Sequence, residues 1–136
     1  MYDRILVPIA IDHIDHAEQS LNAARHMLNA GGTISLVNVI EDIPSFVENY
    51  LPDGTLASNE QHANKAMDML AHKTGHNYDA AVIHGKPHIS IVEHAKKINA
   101  DCIVIASHKP GLEDCFIGST AGRVVRHAKC CVHVLR

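Results

Sequence analysis

The 136-residue chain has no tryptophan, two phenylalanines and three tyrosines. So sparse an aromatic set excludes the stacking platforms on which single-stranded nucleic acid lies. There is no run of basic residues, and the formal net charge is −3. Without an excess of positive charge, neither a nucleic-acid backbone nor an anionic membrane is the expected main partner. No apolar stretch approaches the roughly 20 residues that a helix needs to cross a bilayer. The first ten residues read as a strand and lack the charged region, long apolar core and cleavage site of a secretory signal, so a cytoplasmic location is expected. The four cysteines stand at 102, 115, 130 and 131. None has Cys-x-x-Cys spacing, and the neighbours Cys130 and Cys131 rarely pair with each other. In a reducing compartment they read as small buried hydrophobes. Linkers, internal repeats and low-complexity tracts are also missing. Residues 1–136 are therefore expected to form one domain, large enough for a core without disulfides or metal.

Five apolar, β-branched runs punctuate the chain, at residues 4–9, 33–40, 78–83, 101–106 and 130–135. Helical patterns lie between them. Ala17, Leu21, Ala24 and Leu28 recur at helical spacing, and Gly31-Gly32 is expected to stop that helix. A second stripe runs through Ala63, Ala66, Met67 and Leu70 and ends near Gly75. Pro87 suits the first turn of a third helix, with Ile91, Val92, Ala95 and Ile98 facing the core. A fourth starts near Ser119, with Ala121, Val124, Val125 and Ala128 inward. Strict alternation of strand and helix predicts an α/β fold with a mostly parallel sheet covered on both faces. The first and fourth runs are continuously apolar, as fully buried strands should be. Residues 41–58 form the one long connection. It holds Pro44, Pro52 and Gly54 among exposed aromatics and acids, and reads as a mobile flap over the strands' carboxyl ends.

In an open α/β sheet, ligands bind beyond the carboxyl ends of the strands, where strand order reverses. The loops at residues 8–13 and 107–118 are the candidates. In the second, Gly118-Ser119 precedes a helix, so free backbone N–H groups there form a ready anion site, although the same groups also serve ordinary capping. The twelve histidines are scattered. His13 and His16 are spaced i, i+3 and His84 and His88 i, i+4, but neither pair has a nearby cysteine or an obvious third ligand, so no metal site is expected. No nucleophile, base and acid fall at a recognisable spacing, so dedicated catalysis is not expected either. The last run, read as an edge strand from Cys130 on, is apolar and guarded only by His133 and Arg136. Antiparallel pairing with its own copy would close a two-fold dimer.

Six segments follow one another along the chain: Arg4-Ile5-Leu6-Val7-Pro8; Gly85-Lys86-Pro87 before a helix ending Ala95-Lys96-Lys97; Ile105-Ala106-Ser107-His108-Lys109-Pro110; Gly118-Ser119; Val124-Val125-Arg126-His127-Ala128; and Cys131-Val132-His133-Val134. This series resembles the universal stress protein family end to end and is most similar to its F/G-type branch. The resemblance implies a five-stranded parallel open sheet of order 3-2-1-4-5 with helices on both faces, Rossmann-like in the manner of the adenine nucleotide alpha hydrolases. It further implies an adenine nucleotide, ATP or AMP with or without Mg, a stress-response signalling role, and homodimers joined through the last strand, from Cys130 to Arg136.

Carried onto this sequence, the resemblance places Pro8 and Ile9 along the adenine and ribose, and Val39 and Ile40 against the adenine. Ala106, Ser107 and His108 would begin the phosphate loop, with Lys109 as a charge partner. Gly118, Ser119 and Thr120 would hold phosphates by backbone N–H and hydroxyl groups. Two positions depart from the family. Its nucleotide-binding members carry G-x2-G-x9-G-[S/T], whereas His108 stands ten positions before Gly118 and Ile105 thirteen. A Cβ at such a position limits how closely backbone approaches a phosphate. The family also places an acid two residues after the first-strand proline; here that residue is Ala10, and Asp12 is expected to take over its hydrogen bond to the ribose. These departures leave two rivals to nucleotide signalling. One is a nucleotide-independent interaction protein of the same fold. The other is a slow ATPase or autophosphorylating protein, with Ser119 or Ser107 as acceptor.

Overall fold

Ile5 and Val7 project from one face of the first strand, β1 (Tyr2–Pro8), and Leu6 from the other, and all three are wholly buried. A strand buried on both faces must be covered by helices on both. The computed structural model describes residues 1–73, 76, 78–107 and 117–136. After β1 come a 3-10 turn (Ile11–His13), α1 (Ile14–Met27), β2 (Leu28–Ile40), α2 (Ser45–Glu48), α3 (Thr55–His72), β3 (Asp79–His84), α4 (Pro87–Lys97), β4 (Cys102–Ala106), α5 (Ser119–His127) and β5 (Cys131–Leu135). The strands form one parallel sheet of order β3-β2-β1-β4-β5, as the family resemblance implies. Leu21 and Ala24 of α1 with Met67 and Leu70 of α3 cover Ile5, Val7 and Leu36. On the opposite face, Ile91 and Ala95 of α4 with Ala121 and Val124 of α5 cover Leu6, Val37, Ile103 and Ile105.

One end of the sheet is tied together by a single residue. The Asp101 carboxylate accepts from the Asp3 and Arg4 amides at 2.8 and 3.0 Å, and its own amide donates to the Arg4 carbonyl at 2.9 Å. Its carbonyl accepts from Cys131 at 3.2 Å, so β1, β4 and β5 are joined there. At the other end the pairing is uneven. β1 follows β2 as far as Pro8↔Val37, and β4 follows β5 to Ala106↔Leu135, but β1 and β4 pair only at Ile5↔Cys102 and Leu6↔Ile103. The ladder therefore stops early at the junction where strand order reverses.

Four expectations need correction. Leu28 does not extend the α1 stripe: its backbone is extended (φ −78°, ψ 133°) and it opens β2 with no intervening loop. Gly31-Gly32 consequently lies inside β2, where the register shifts from Tyr2↔Leu28 to Arg4↔Thr33. Gly31 adopts φ +81°, and a Cβ on Gly32 would stand 2.9 Å from the Asp3 carbonyl oxygen. Val125 is 46% exposed, because Ala121 and Val124 define the buried line of α5 and Val125 falls a further 100° round the helix. Cys131 is exposed at the start of an edge strand and Cys130 half-buried, so of the described cysteines only Cys102 is a core residue. The 41–58 connection contains α2 and the first turn of α3. The expected helix stop at Gly75 and the fourth cysteine, Cys115, lie outside the described residues.

Candidate functional site

Beyond Pro8 the chain follows β2 for one more bond, Ile9 N–H to the Val37 carbonyl at 2.8 Å, and then turns through Ala10 to His13. On the other side of the junction, the Ser107 amide donates to Leu135 at 2.7 Å before the chain leaves β4. The space between these two departures is a cleft of about 620 Å³. Pro8 at the end of β1 lines it with Ile9, Ala10 and Asp12 from the turn that follows, Val39 and Ile40 from β2, Ala106 from β4, and Gly118, Ser119 and Thr120 from the start of α5. Two loops far apart in sequence thus share one hollow, because the switch in strand order makes their strands neighbours.

The remaining expected residues stand differently. Ser107 does not line the cleft; its Oγ accepts from the Gly118 amide at 2.8 Å. That bond holds the start of α5 to the end of β4. His108 and Lys109 lie outside the described residues.

Gly118 precedes α5 with extended backbone (φ −50°, ψ 150°), and no side chain among the described residues caps the helix. The first N–H groups of a helix have no intrahelical acceptor, and they carry the positive end of its dipole. Here they open on the cleft. Basic residues stand nearby without lining the cleft: Lys86 precedes the cleft-lining Pro87 at the start of α4, His88 follows it, and Arg123 and His127 stand on α5. The His88 and His127 rings are 6.3 Å apart. Partial burial first, then the charges of Arg123, His127 and Lys86, hold the His88 pKa below its ordinary 6.5. The α4–α5 end of the cleft thus presents the start of a helix, and the β1–β2 end is mostly apolar.

Several lining residues escape the sequence reading. Asn38 reaches the cleft from β2, His16 and Ser20 from α1, and Asn59 and His62 from α3. Asn38 had a visible signal, as the one polar residue in Leu36-Val37-Asn38-Val39-Ile40. The α3 residues had none, since an amphipathic pattern tells which face is buried and not which cleft the helix borders. Among the described residues, no three His, Cys, Asp or Glu side chains are grouped to hold a metal ion. No helix among them is long and apolar enough to cross a membrane.

The sequence model of the universal stress protein family matches residues 1–136. This chain belongs to the universal stress protein family. It is 30% identical to universal stress protein MJ0531 of Methanocaldococcus jannaschii over 146 residues, which cover 100% of this chain and 83% of that protein. The solved structure of MJ0577 is similar with a TM-score of 0.75 and 25% identity, covering 99% of this chain and 96% of that one. A universal stress protein from Archaeoglobus fulgidus, solved in complex with dAMP, shares the fold at a TM-score of 0.58 and 16% identity, over 99% of this chain and 98% of the other. In this universal stress protein, Ala10 brings no polar side chain to the cleft, and Asp12 carries a carboxylate there from the 3-10 turn two residues on.

Proposed function

We propose that this universal stress protein binds an adenine nucleotide, AMP or ATP with Mg, across the carboxyl ends of β1, β2 and β4, and signals its occupancy in the stress response. The observation that carries this reading is the uncapped start of α5 facing a cleft of about 620 Å³ at the switch in strand order. Pockets for small ligands run from about 300 to 1,000 Å³, and a mononucleotide needs an apolar end for its base and a cationic end for its phosphate. The cleft has both. The dAMP complex of a protein with the same fold supports the assignment. Phosphate would sit on the Ser119 and Thr120 amides, and Asp12 would face the ribose.

Calorimetry and thermal melting with AMP, and with ATP with and without Mg, test the proposal. A nucleotide at a hundredfold excess over Kd adds about 2.7 kcal/mol of apparent stability. Unchanged melting at millimolar nucleotide sinks the reading and favours a nucleotide-independent interaction protein, the alternative that Ala10 supports. The edge position of β5 further supports a homodimer through that strand. Light scattering should then give twice the 14.8 kDa chain mass; a monomer at micromolar concentration would refute the dimer.

A further inference from the structure

Asn38 is 7% exposed, in the middle of a strand whose neighbouring residues are all apolar. Its Nδ2 donates to the Ile9 carbonyl at 2.9 Å. A carbonyl can only accept, so this contact fixes the amide with its nitrogen toward Ile9 and its oxygen away. Nothing among the described residues bonds that oxygen, yet no buried side-chain nitrogen or oxygen there lacks a partner. The oxygen therefore meets open space, and the open space that Asn38 lines is the cleft. Ile9, Ala17, Ile40 and Ala63 are among the apolar residues that wall the cleft. A flat heterocycle fits such walls, and one hydrogen-bond acceptor among them decides which edge it can present.

We infer that Asn38 reads the base: its Oδ1 accepts a hydrogen bond from the exocyclic amino group of a 6-aminopurine, and the cleft rejects 6-oxopurines. The inference rests on the nucleotide reading above and adds the residue that sets base specificity. The rejection follows from the lock on the amide. A 6-oxo group would face Oδ1 acceptor to acceptor, and the amide cannot turn round to offer its nitrogen without placing Oδ1 against the Ile9 carbonyl. An amide without that second contact would flip and accept either base.

The test compares AMP with purine riboside monophosphate, which has hydrogen in place of the amino group, and with inosine monophosphate, which has an oxo group. On the unmodified protein, calorimetry should show about tenfold weaker binding of the first analogue and about a hundredfold weaker binding of the second. In Asn38→Ala the ratio between AMP and purine riboside monophosphate should fall close to one, whatever the loss shared by both ligands. A merely structural Asn38 would weaken both and leave the ratio intact, which overturns the inference. Should the variant not fold, the analogue series on the unmodified protein still decides. Equal binding of the three nucleotides there removes the role of Asn38 and keeps nucleotide binding. No binding of any of them refutes the nucleotide reading, and Asn38's role with it.

Discussion

Ser107→Ala tests how the start of α5, at the edge of the cleft, is held in place. The Ser107 hydroxyl accepts from the Gly118 amide at 2.8 Å, across the ten intervening residues 108–117. Gly118 is buried, so removal of the oxygen strands its N–H away from water. A buried donor left without a partner costs about 1–3 kcal/mol, more than the net value of the bond itself. Unfolding entropy scales with chain length, and for 136 residues a loss of about 2 kcal/mol lowers Tm by about 7 °C. Differential scanning calorimetry reads that shift directly. The same bond sets where α5 begins, so AMP affinity should weaken several-fold in the alanine variant. Ser107→Thr keeps the acceptor and should recover both properties. A Ser107→Ala protein that melts within about 1 °C of the parent would show that the bond does not hold α5 to β4, and the reasoning would fail.

Asp12→Ala should weaken AMP binding about ten- to a hundredfold in calorimetry if Asp12 replaces the acid missing at position 10; unchanged affinity removes it from the ribose. Burial first, and Lys97 second, lower the His94 pKa from 6.5, so the folded state holds this ring neutral where the unfolded state protonates it. The unfolded chain then binds more protons as pH falls below 6.5, so this stabilisation is intact above that pH and lost as pH drops through the lowered folded value. Urea titrations at pH 7.5 and 5.5 should show a smaller loss in His94→Gln than in the parent; equal losses would refute the assignment. Burial, followed by the neighbouring Cys130 and Cys131, pushes the Cys102 thiol up to about 11. At pH 8 roughly one such thiol in a thousand is ionised, so peptide mapping after iodoacetamide should find the exposed Cys131 labelled and Cys102 not. Equal labelling would mean that β4 opens in the native state.

The central strands were legible because burial on both faces leaves only apolar choices, as in Ile5-Leu6-Val7 and Cys102-Ile103-Val104-Ile105. Pro87 and Ser119 marked helix starts for local reasons that tertiary contacts did not override. Leu28 misled because helical spacing ignores backbone: the residue fits the stripe of Ala17, Leu21 and Ala24, but the chain is already extended there. The helix start that borders the cleft could be read from Gly118-Ser119 alone. Ser107 could not, because a loop hydroxyl looks the same whether it meets a ligand or a backbone amide eleven residues on. Asn38 was visible as an oddity in its strand, but its meaning depends on the Ile9 carbonyl, twenty-nine residues earlier in the chain.

The short pairing between β1 and β4 has a mechanical consequence. The two halves of the sheet, β3-β2-β1 and β4-β5, resemble plates riveted along one margin by Asp101 and without ladder pairs along the other. A molecule spanning that margin would act as a strut between the plates. The outermost rib of the second plate is β5, so any change in the angle between the plates would reach it as a tilt of the whole edge.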